Sequence, residues 1–304
     1  MKKRIFLIAL HLIVLGCFAL CMIKFPEEII ELKASIRQKI VSVTTASRLK
    51  AVKEDDSFPV ISPTGEEWYS TNRLIYHAGG GIDGLTYSNS KEALEQTLSR
   101  GNRVIEIDFL YTSDGHLVCA HDWHGITNQS SPPDLETYKN LRIYGKLTPL
   151  TAEELLDYMV QFNDLYIVLD TKESDAVQIV KDLIALCGDN SDLPHRFIIQ
   201  LYGSGDKQKL MDIYPFTDEN FLFTAYKFGT GDPIRIMELC YQENISVITV
   251  PHGSLVPEAI DFLTQKGFIL FEHTVNHPNE ACSALEKGVY GLYTDFLWPS
   301  DLTP

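Results

Sequence analysis

Positive charge is what this 304-residue chain has least of: 26 Lys and Arg stand against 41 Asp and Glu, a formal net charge of −15 at pH 7. Affinity for a polyanion rests on clustered cations that displace counterions, so nucleic acid is excluded as a main partner. A small phosphate ester stays open where a divalent cation supplies the local positive field. Paired cysteines are missing too. The six cysteines include no CxxC and no Cys/His spacing that suits zinc. Cys119, Cys187, Cys240 and Cys282 stand in apolar patterns and read as small buried hydrophobes. No GxGxxG turn follows the first strand candidate, which counts against a doubly wound dinucleotide-binding sheet. No A-x-A-like site follows the N-terminal apolar run, which counts against a cleaved signal peptide.

That run, residues 5–23, is uncharged and follows Met1-Lys2-Lys3-Arg4. It is about long enough to cross a bilayer as a helix. The basic flank keeps this end in the cytoplasm and sends the rest out. A lipidated start would use Cys17, but the apolar stretch continues through Phe18-Ala19-Leu20. Residues 1–25 are therefore expected to form a transmembrane signal anchor, with the remainder extracytoplasmic. Next, Ile29, Leu32, Ile36, Ile40 and Val43 recur at helical spacing among Glu31, Lys33, Arg37 and Lys39. Residues 26–66 are expected to hold a juxtamembrane amphipathic helix and a polar linker.

Residues 67–304 carry the main domain, close to the roughly 250 residues that one (β/α)8 barrel uses. Short apolar runs mark strand candidates at 74–77, 104–109, 166–169, 197–201, 221–224, 246–250, 268–271 and 291–293. Amphipathic stretches at 90–99, 151–162, 176–186, 234–242, 256–266 and 278–287 stand between many of them as helix candidates. Eight short, unalternating strands separated by helices predict a closed parallel barrel buried on both faces, a TIM barrel preceded by the anchor.

In such a barrel, chemistry belongs at the C-terminal ends of the strands, and polar residues collect there. His77 ends the first strand. Glu106 and Asp108 lie two residues apart on the second, so both carboxylates face one side. His121 follows a short extended piece, and Asp170 and Lys172 close the third strand. Two carboxylates at that spacing cost several kcal/mol to bury unless a cation neutralises them. With Asp170 they make an oxygen-rich set that suits Mg²⁺ or Ca²⁺, while a Lys or Arg ion-pair network is the plainer alternative. Two histidines beside them suit acid–base work near neutral pH. His252 and His273 come near the ends of later strands and are expected substrate contacts, whereas His116, His124 and His277 read as hydrogen-bonded spacers.

Read in order, the motifs resemble the glycerophosphodiester phosphodiesterases of the phosphoinositide-phospholipase-C-like barrel superfamily. That family opens with His-Arg-Gly and an Asn-Thr pair; here stand His77-Ala78-Gly79-Gly80 and Ser88-Asn89-Ser90. Its Glu-x-Asp, Thr-x-Asp-Gly and His-Asp are matched by Glu106-Ile107-Asp108, Thr112-Ser113-Asp114-Gly115 and His121-Asp122. Pro149-Leu150-Thr151 opens a helix as its Pro-Thr-Leu segment does. Asp170-Thr171-Lys172 is similar to its Glu-x-Lys, and Thr274-Val275-Asn276 and Thr294-Asp295 resemble its closing signals.

The resemblance implies general acid and base roles for His77 and His121 and metal ligation by Glu106, Asp108 and Asp170. It further implies phosphate contact by Lys172, with Asn89 counted among the substrate contacts. The expected substrate is a phosphodiester: a small glycerophosphodiester, a lipid headgroup or a glycerol-phosphate polymer. A phospholipase and a non-catalytic lipid- or glycan-binding barrel are the alternatives. Three departures mark a divergent branch. Ala78 replaces Arg, Asp170 replaces Glu, and no Arg-Thr pair follows His121-Asp122.

Overall fold

The computed structural model describes Leu49 and residues 60–62, 67–70, 72–171, 176–225 and 232–302. The expected anchor, most of the juxtamembrane segment, and Lys172 lie outside the described residues. The chain divides into compact units Met1–Glu54 and Asp55–Pro304, and every described strand belongs to the second. Among the described residues no helix is long and apolar enough to cross a membrane.

The ten strands are β1 (Leu74–Tyr76), β2 (Val104–Tyr111), β3 (Leu117–Cys119), β4 (Leu150–Thr151), β5 (Tyr166–Thr171), β6 (Phe197–Leu201), β7 (Phe221–Thr224), β8 (Val247–Pro251), β9 (Ile269–His273) and β10 (Gly291–Thr294). Eight of them, β1, β2 and β5 to β10, pair in parallel in chain order, and β1 bonds to both β2 and β10, which closes the ring. Closure removes both sheet edges, the ordinary liability of a parallel sheet. The remaining two, β3 and β4, add to β2 as an antiparallel flap outside the barrel wall.

Helices cover the outside. They are α1 (Lys91–Ser99), α2 (Trp123–Thr127), α3 (Leu135–Asn140), α4 (Ala152–Gln161), α5 (Ala176–Leu186), α6 (Asp206–Ile213), α7 (Pro233–Glu243), α8 (Pro257–Gln265) and α9 (Pro278–Glu286). Capping chemistry sets their starts one residue inside the periodic pattern. Ser90 accepts a bond from the Ala93 amide ahead of α1, and Thr151 and Glu154 form a reciprocal capping box ahead of α4. Three helices escape the apolar periodicity: α2 and α3 are too short to show it, and α6 buries only Lys207 and Leu210. The Lys207 ammonium reaches the Glu243 and Asn244 carbonyls at the C-terminal end of α7, so this helix is held by a buried cation more than by an apolar stripe.

The barrel interior draws one apolar residue from each of the eight strands: Ile75, Val104, Val168, Ile198, Leu222, Val247, Phe271 and Tyr293. Trp68 and Tyr69 join this layer from the segment ahead of β1, with the Trp68 ring stacked on Phe271 at 5.8 Å between centroids. Cys119, Cys187 and Cys240 are buried as free thiols and Cys282 is half-buried, in keeping with a packing role.

Phe271 fits because β10 begins with glycine. A Cβ at Gly291 would stand 2.4 Å from the Phe271 ring and 2.6 Å from the Arg73 carbonyl oxygen. Gly291→Ala is therefore expected to destabilise the barrel by about 1–3 kcal/mol through overpacking. The measurement is the urea midpoint, which should fall while the slope of the transition stays constant.

Candidate active site

Side chains on a strand alternate faces, so a step of two from each residue of the apolar layer stays inside the barrel and climbs toward its C-terminal mouth. From Ile75 the step reaches His77; from Val104 it reaches Glu106 and then Asp108; from Val168 it reaches Asp170. On the far wall it reaches Gln200, Thr224 and Thr249, and on the last two strands His273 and Asp295. Strand pairing sets these groups side by side. Asp108 is registered directly against Asp170 across β2 and β5.

Glu106, Asp108 and Asp170 are 1%, 0% and 8% exposed, and one carboxylate oxygen from each lies within 4.8 Å of the others. Three carboxylates that close repel, and burial removes the water that would screen them. Two neighbours hold the geometry. The Ala78 amide donates to Glu106 Oε2 at 2.6 Å, and Asn89 Nδ2 donates to Asp108 Oδ2 at 2.8 Å while its Oδ1 accepts from the Asp108 amide. Neutral donors do not cancel the charge. An all-oxygen set of this kind fits a hard divalent cation, and Glu106, Asp108 and Asp170 are the residues able to hold one.

Two histidines stand beside this cluster, each with Nδ1 engaged by an aspartate. His77 Nδ1 lies 2.9 Å from Asp295 Oδ1, and both side chains are buried. Asp295 is held in turn by Asn276 Nδ2 at 2.7 Å and by its own amide bonded to Asn276 Oδ1. His121 Nδ1 lies 2.9 Å from Asp122 Oδ2. Asp122 also caps α2, its Oδ1 accepting from the Gly125 amide at 2.6 Å. The His121 bond, with that amide, holds the Asp122 carboxyl below its usual range. In both pairs Nε2 is the ring nitrogen left for substrate, the arrangement that fixes tautomer and direction for proton transfer.

A pocket of about 550 Å³ opens over these groups, with Asp170 the carboxylate that reaches it. Its walls are His77, His121 and His273 with Tyr87, Tyr202 and Thr274. Tyr202 donates to Asp170 Oδ1 at 2.6 Å. Burial, followed by the Asp170 charge, pushes the Tyr202 phenol far above its usual value, so it remains a donor. His273 packs against His77 with ring centroids 4.7 Å apart and lies 2.9 Å from the Thr274 hydroxyl.

The mouth thus gathers His77, His121, Glu106, Asp108, Asp170 and His273. Two expected substrate contacts stand elsewhere. Asn89 is fully buried with its amide directed at Asp108, so it reaches the site through that carboxylate rather than by touching a ligand. His252 is bonded at 2.5 Å to Glu272, which sits one step out of the inward frame, and His252 does not line the pocket. Asp295, Tyr87 and Tyr202 are site residues to which the sequence reading gave no role, although Asp295 stands in one of the motifs. Tyr202 was accessible by counting in twos from Ile198, and Asp295 from the closing Thr-Asp pair. Tyr87 carries no such signal.

No protein-family model matches the sequence. No curated protein matches it either. Solved structures do match by fold. A glycerophosphoryl diester phosphodiesterase from Parabacteroides distasonis superposes with a TM-score of 0.56 at 20% identity, over 78% of this chain and 87% of its own. A glycerophosphodiester phosphodiesterase from Thermotoga maritima gives 0.56 at 18% identity, over 73% and 94%. A phosphodiesterase from Oleispira antarctica, solved with its product sn-glycerol-3-phosphate, gives 0.61 at 15% identity, over 76% and 94%. The chain carries the fold of these phosphodiesterases.

Charge at the cluster gives a test with opposite signs. Asp108→Asn removes one of three crowded charges, so in chelator its melting temperature is expected to equal or exceed that of the unaltered protein. Millimolar Mg²⁺ or Ca²⁺ should raise the melting temperature of the unaltered protein, by linkage to binding, and leave that of the variant nearly fixed. Equal cation stabilisation of both would remove Asp108 from the ligand set.

Proposed function

We propose that the barrel is a phosphoric diester hydrolase that cleaves a glycerophosphodiester-type substrate to glycerol phosphate and an alcohol with the help of a divalent cation. The observation that carries this reading is one pocket walled by two aspartate-oriented histidines and reached by Asp170 of a buried three-carboxylate cluster. Its position at the C-terminal mouth of a parallel barrel, and a fold shared with glycerophosphodiester phosphodiesterases, support it. The product bound to the Oleispira protein supports glycerol phosphate as the half retained.

Mg²⁺ or Ca²⁺ held by Glu106, Asp108 and Asp170 would supply charge stabilisation at a non-bridging phosphate oxygen. The protein's own groups move the protons. One of His77 and His121 accepts the proton of the attacking hydroxyl, from water or from a neighbouring hydroxyl of the substrate, as its oxygen bonds to phosphorus. The other donates a proton through Nε2 to the departing alcohol oxygen as the second P–O bond breaks. Asp295 and Asp122 stabilise the imidazolium and hold each ring in place. Attack by a substrate hydroxyl leaves a cyclic phosphate, which water opens in a second turn of the same cycle. Tyr202 keeps Asp170 oriented, and His273, which lines the same pocket, is a further substrate contact in this scheme. Lys172, two residues beyond Asp170, is the further phosphate contact that the sequence motif implies.

Anchoring belongs to the same proposal. The apolar run 5–23 behind a basic flank would hold the barrel outside the cytoplasm, where phosphodiesters of lipid headgroups or glycerol-phosphate polymers are at hand. Protease added to intact cells is expected to digest the barrel while cytoplasmic proteins survive; full protection would reverse the topology.

General acid–base catalysis contributes typically 10²–10⁴-fold per group. His77→Ala and His121→Ala are each expected to lower turnover by about that factor, with cation binding retained. The double variant should be far less than multiplicatively worse, because both groups serve one cycle. A nitrophenyl diester, whose leaving group needs no proton, should partly rescue whichever variant has lost the acid. Near-normal turnover in both single variants would remove the mechanism.

A further inference from the structure

We infer that Tyr87 is a specificity-determining residue, its ring forming the wall against which the leaving alcohol of the diester packs. This inference rests on the phosphodiesterase reading above and adds to it the chemistry of the departing arm.

Tyr87 combines features that a packing residue does not. It is 42% exposed, yet its ring meets His77 at 4.5 Å and His121 at 4.7 Å between centroids, at interplanar angles of 89° and 69°. It is the ring that touches both histidines. Its backbone has φ +56, a left-handed conformation that costs a bulky L-residue free energy and persists only where the surroundings impose it. Here the surroundings do impose it. The Tyr144 hydroxyl donates to the Thr86 carbonyl at 2.9 Å, the Lys146 ammonium meets Asp83 at 2.8 Å, and Asn89 is locked to Asp108. Three braces thus hold a short loop so that one aromatic ring stands half in solvent between the two proton carriers.

The position decides what that ring can touch. The phosphate end of a substrate belongs at the carboxylate cluster, deep in the mouth. The alcohol that leaves must lie beside the histidine that protonates it, and Tyr87 abuts each candidate. Tyr202 and His273 also line the pocket, and no Lys or Arg lines it among the described residues. The wall beside the two histidines therefore offers aromatic surface. It favours an alcohol with an extended C–H face, such as a ring or a chain of several carbons, over a methyl group that cannot reach it. Tyr144, which touches the Thr86 carbonyl and not the pocket, is a positioning residue in this scheme.

The test compares the methyl and cyclohexyl esters of sn-glycerol 3-phosphate, whose leaving alkoxides are similar in basicity, with the full-length protein and Mg²⁺ or Ca²⁺. The unaltered protein should prefer the cyclohexyl ester in kcat/KM. Tyr87→Ala should narrow that preference roughly three- to tenfold, chiefly through KM, while Tyr87→Phe keeps it. Tyr144→Phe should narrow it in the same direction by less. Tyr87→Gly relieves the positive φ while removing the ring, so it preserves the test if the alanine variant folds poorly. Equal loss on both esters would mean that the ring only supports the histidines and would overturn the inference, as would a preference unmoved by Tyr87→Ala and Tyr87→Gly. Absence of turnover on either ester by the unaltered protein would overturn the diesterase reading itself, and the inference with it.

Discussion

Three carboxylates kept out of water within 4.8 Å of one another set the terms for everything at the barrel mouth. Left alone, such a group repels itself and strains the strands that carry it. The fold answers with fixed donors: the Ala78 amide on Glu106, the Asn89 amide on Asp108 and the Tyr202 hydroxyl on Asp170. Each orients an oxygen without adding a full positive charge. A divalent cation held there would supply the local positive charge that a chain with a net charge of −15 otherwise has little of.

The alternation of side chains along closed parallel strands makes this placement possible. One step of two separates the apolar layer from the polar one on every wall of the barrel. The same backbone that buries Ile75 therefore presents His77, and the one that buries Tyr293 presents Asp295. Because β1 lies beside β10, the His77–Asp295 pair joins residues 218 positions apart in sequence through a single ladder. The second pair has a different origin. His121 returns to the mouth from β3, an antiparallel flap on β2, and its aspartate is the next residue along the chain. One histidine is thus set by barrel closure and the other by a local turn and helix cap. That difference predicts a rigid, buried His77 and a more exposed, adjustable His121.

Much of this was legible in the sequence. Eight strands were readable because both faces of a parallel barrel are buried, which writes each strand as a short apolar run. The pairing of Glu106 with Asp108, and their convergence with Asp170, followed from spacing and from the rule that barrel chemistry sits at strand ends. What escaped is instructive for physical reasons. Helices of five or six residues such as α2 show no period. Asn89 looked like a ligand contact because its motif position is polar, whereas its burial makes it a brace for Asp108. His252 stood at a strand end, but the partner that claims it, Glu272, faces away from the barrel interior. Tyr87 was silent because a left-handed loop residue leaves no pattern in composition or periodicity.

Replacement of the expected Arg by Ala78 now has a structural reading. The position contributes its backbone amide to Glu106, a bond that needs no arginine side chain, so the carboxylate stays oriented without one. The central claim is that this mouth cleaves phosphodiesters only with a divalent cation in its carboxylate cluster. The direct measurement is product release by the purified protein from a panel of glycerophosphodiesters in Mg²⁺, in Ca²⁺ and in EDTA. The account predicts turnover with at least one of the two cations, abolished by EDTA and restored when the cation is returned. Turnover indifferent to EDTA, or substrate binding without cleavage under every condition, would contradict it, the latter marking the barrel as a binding module.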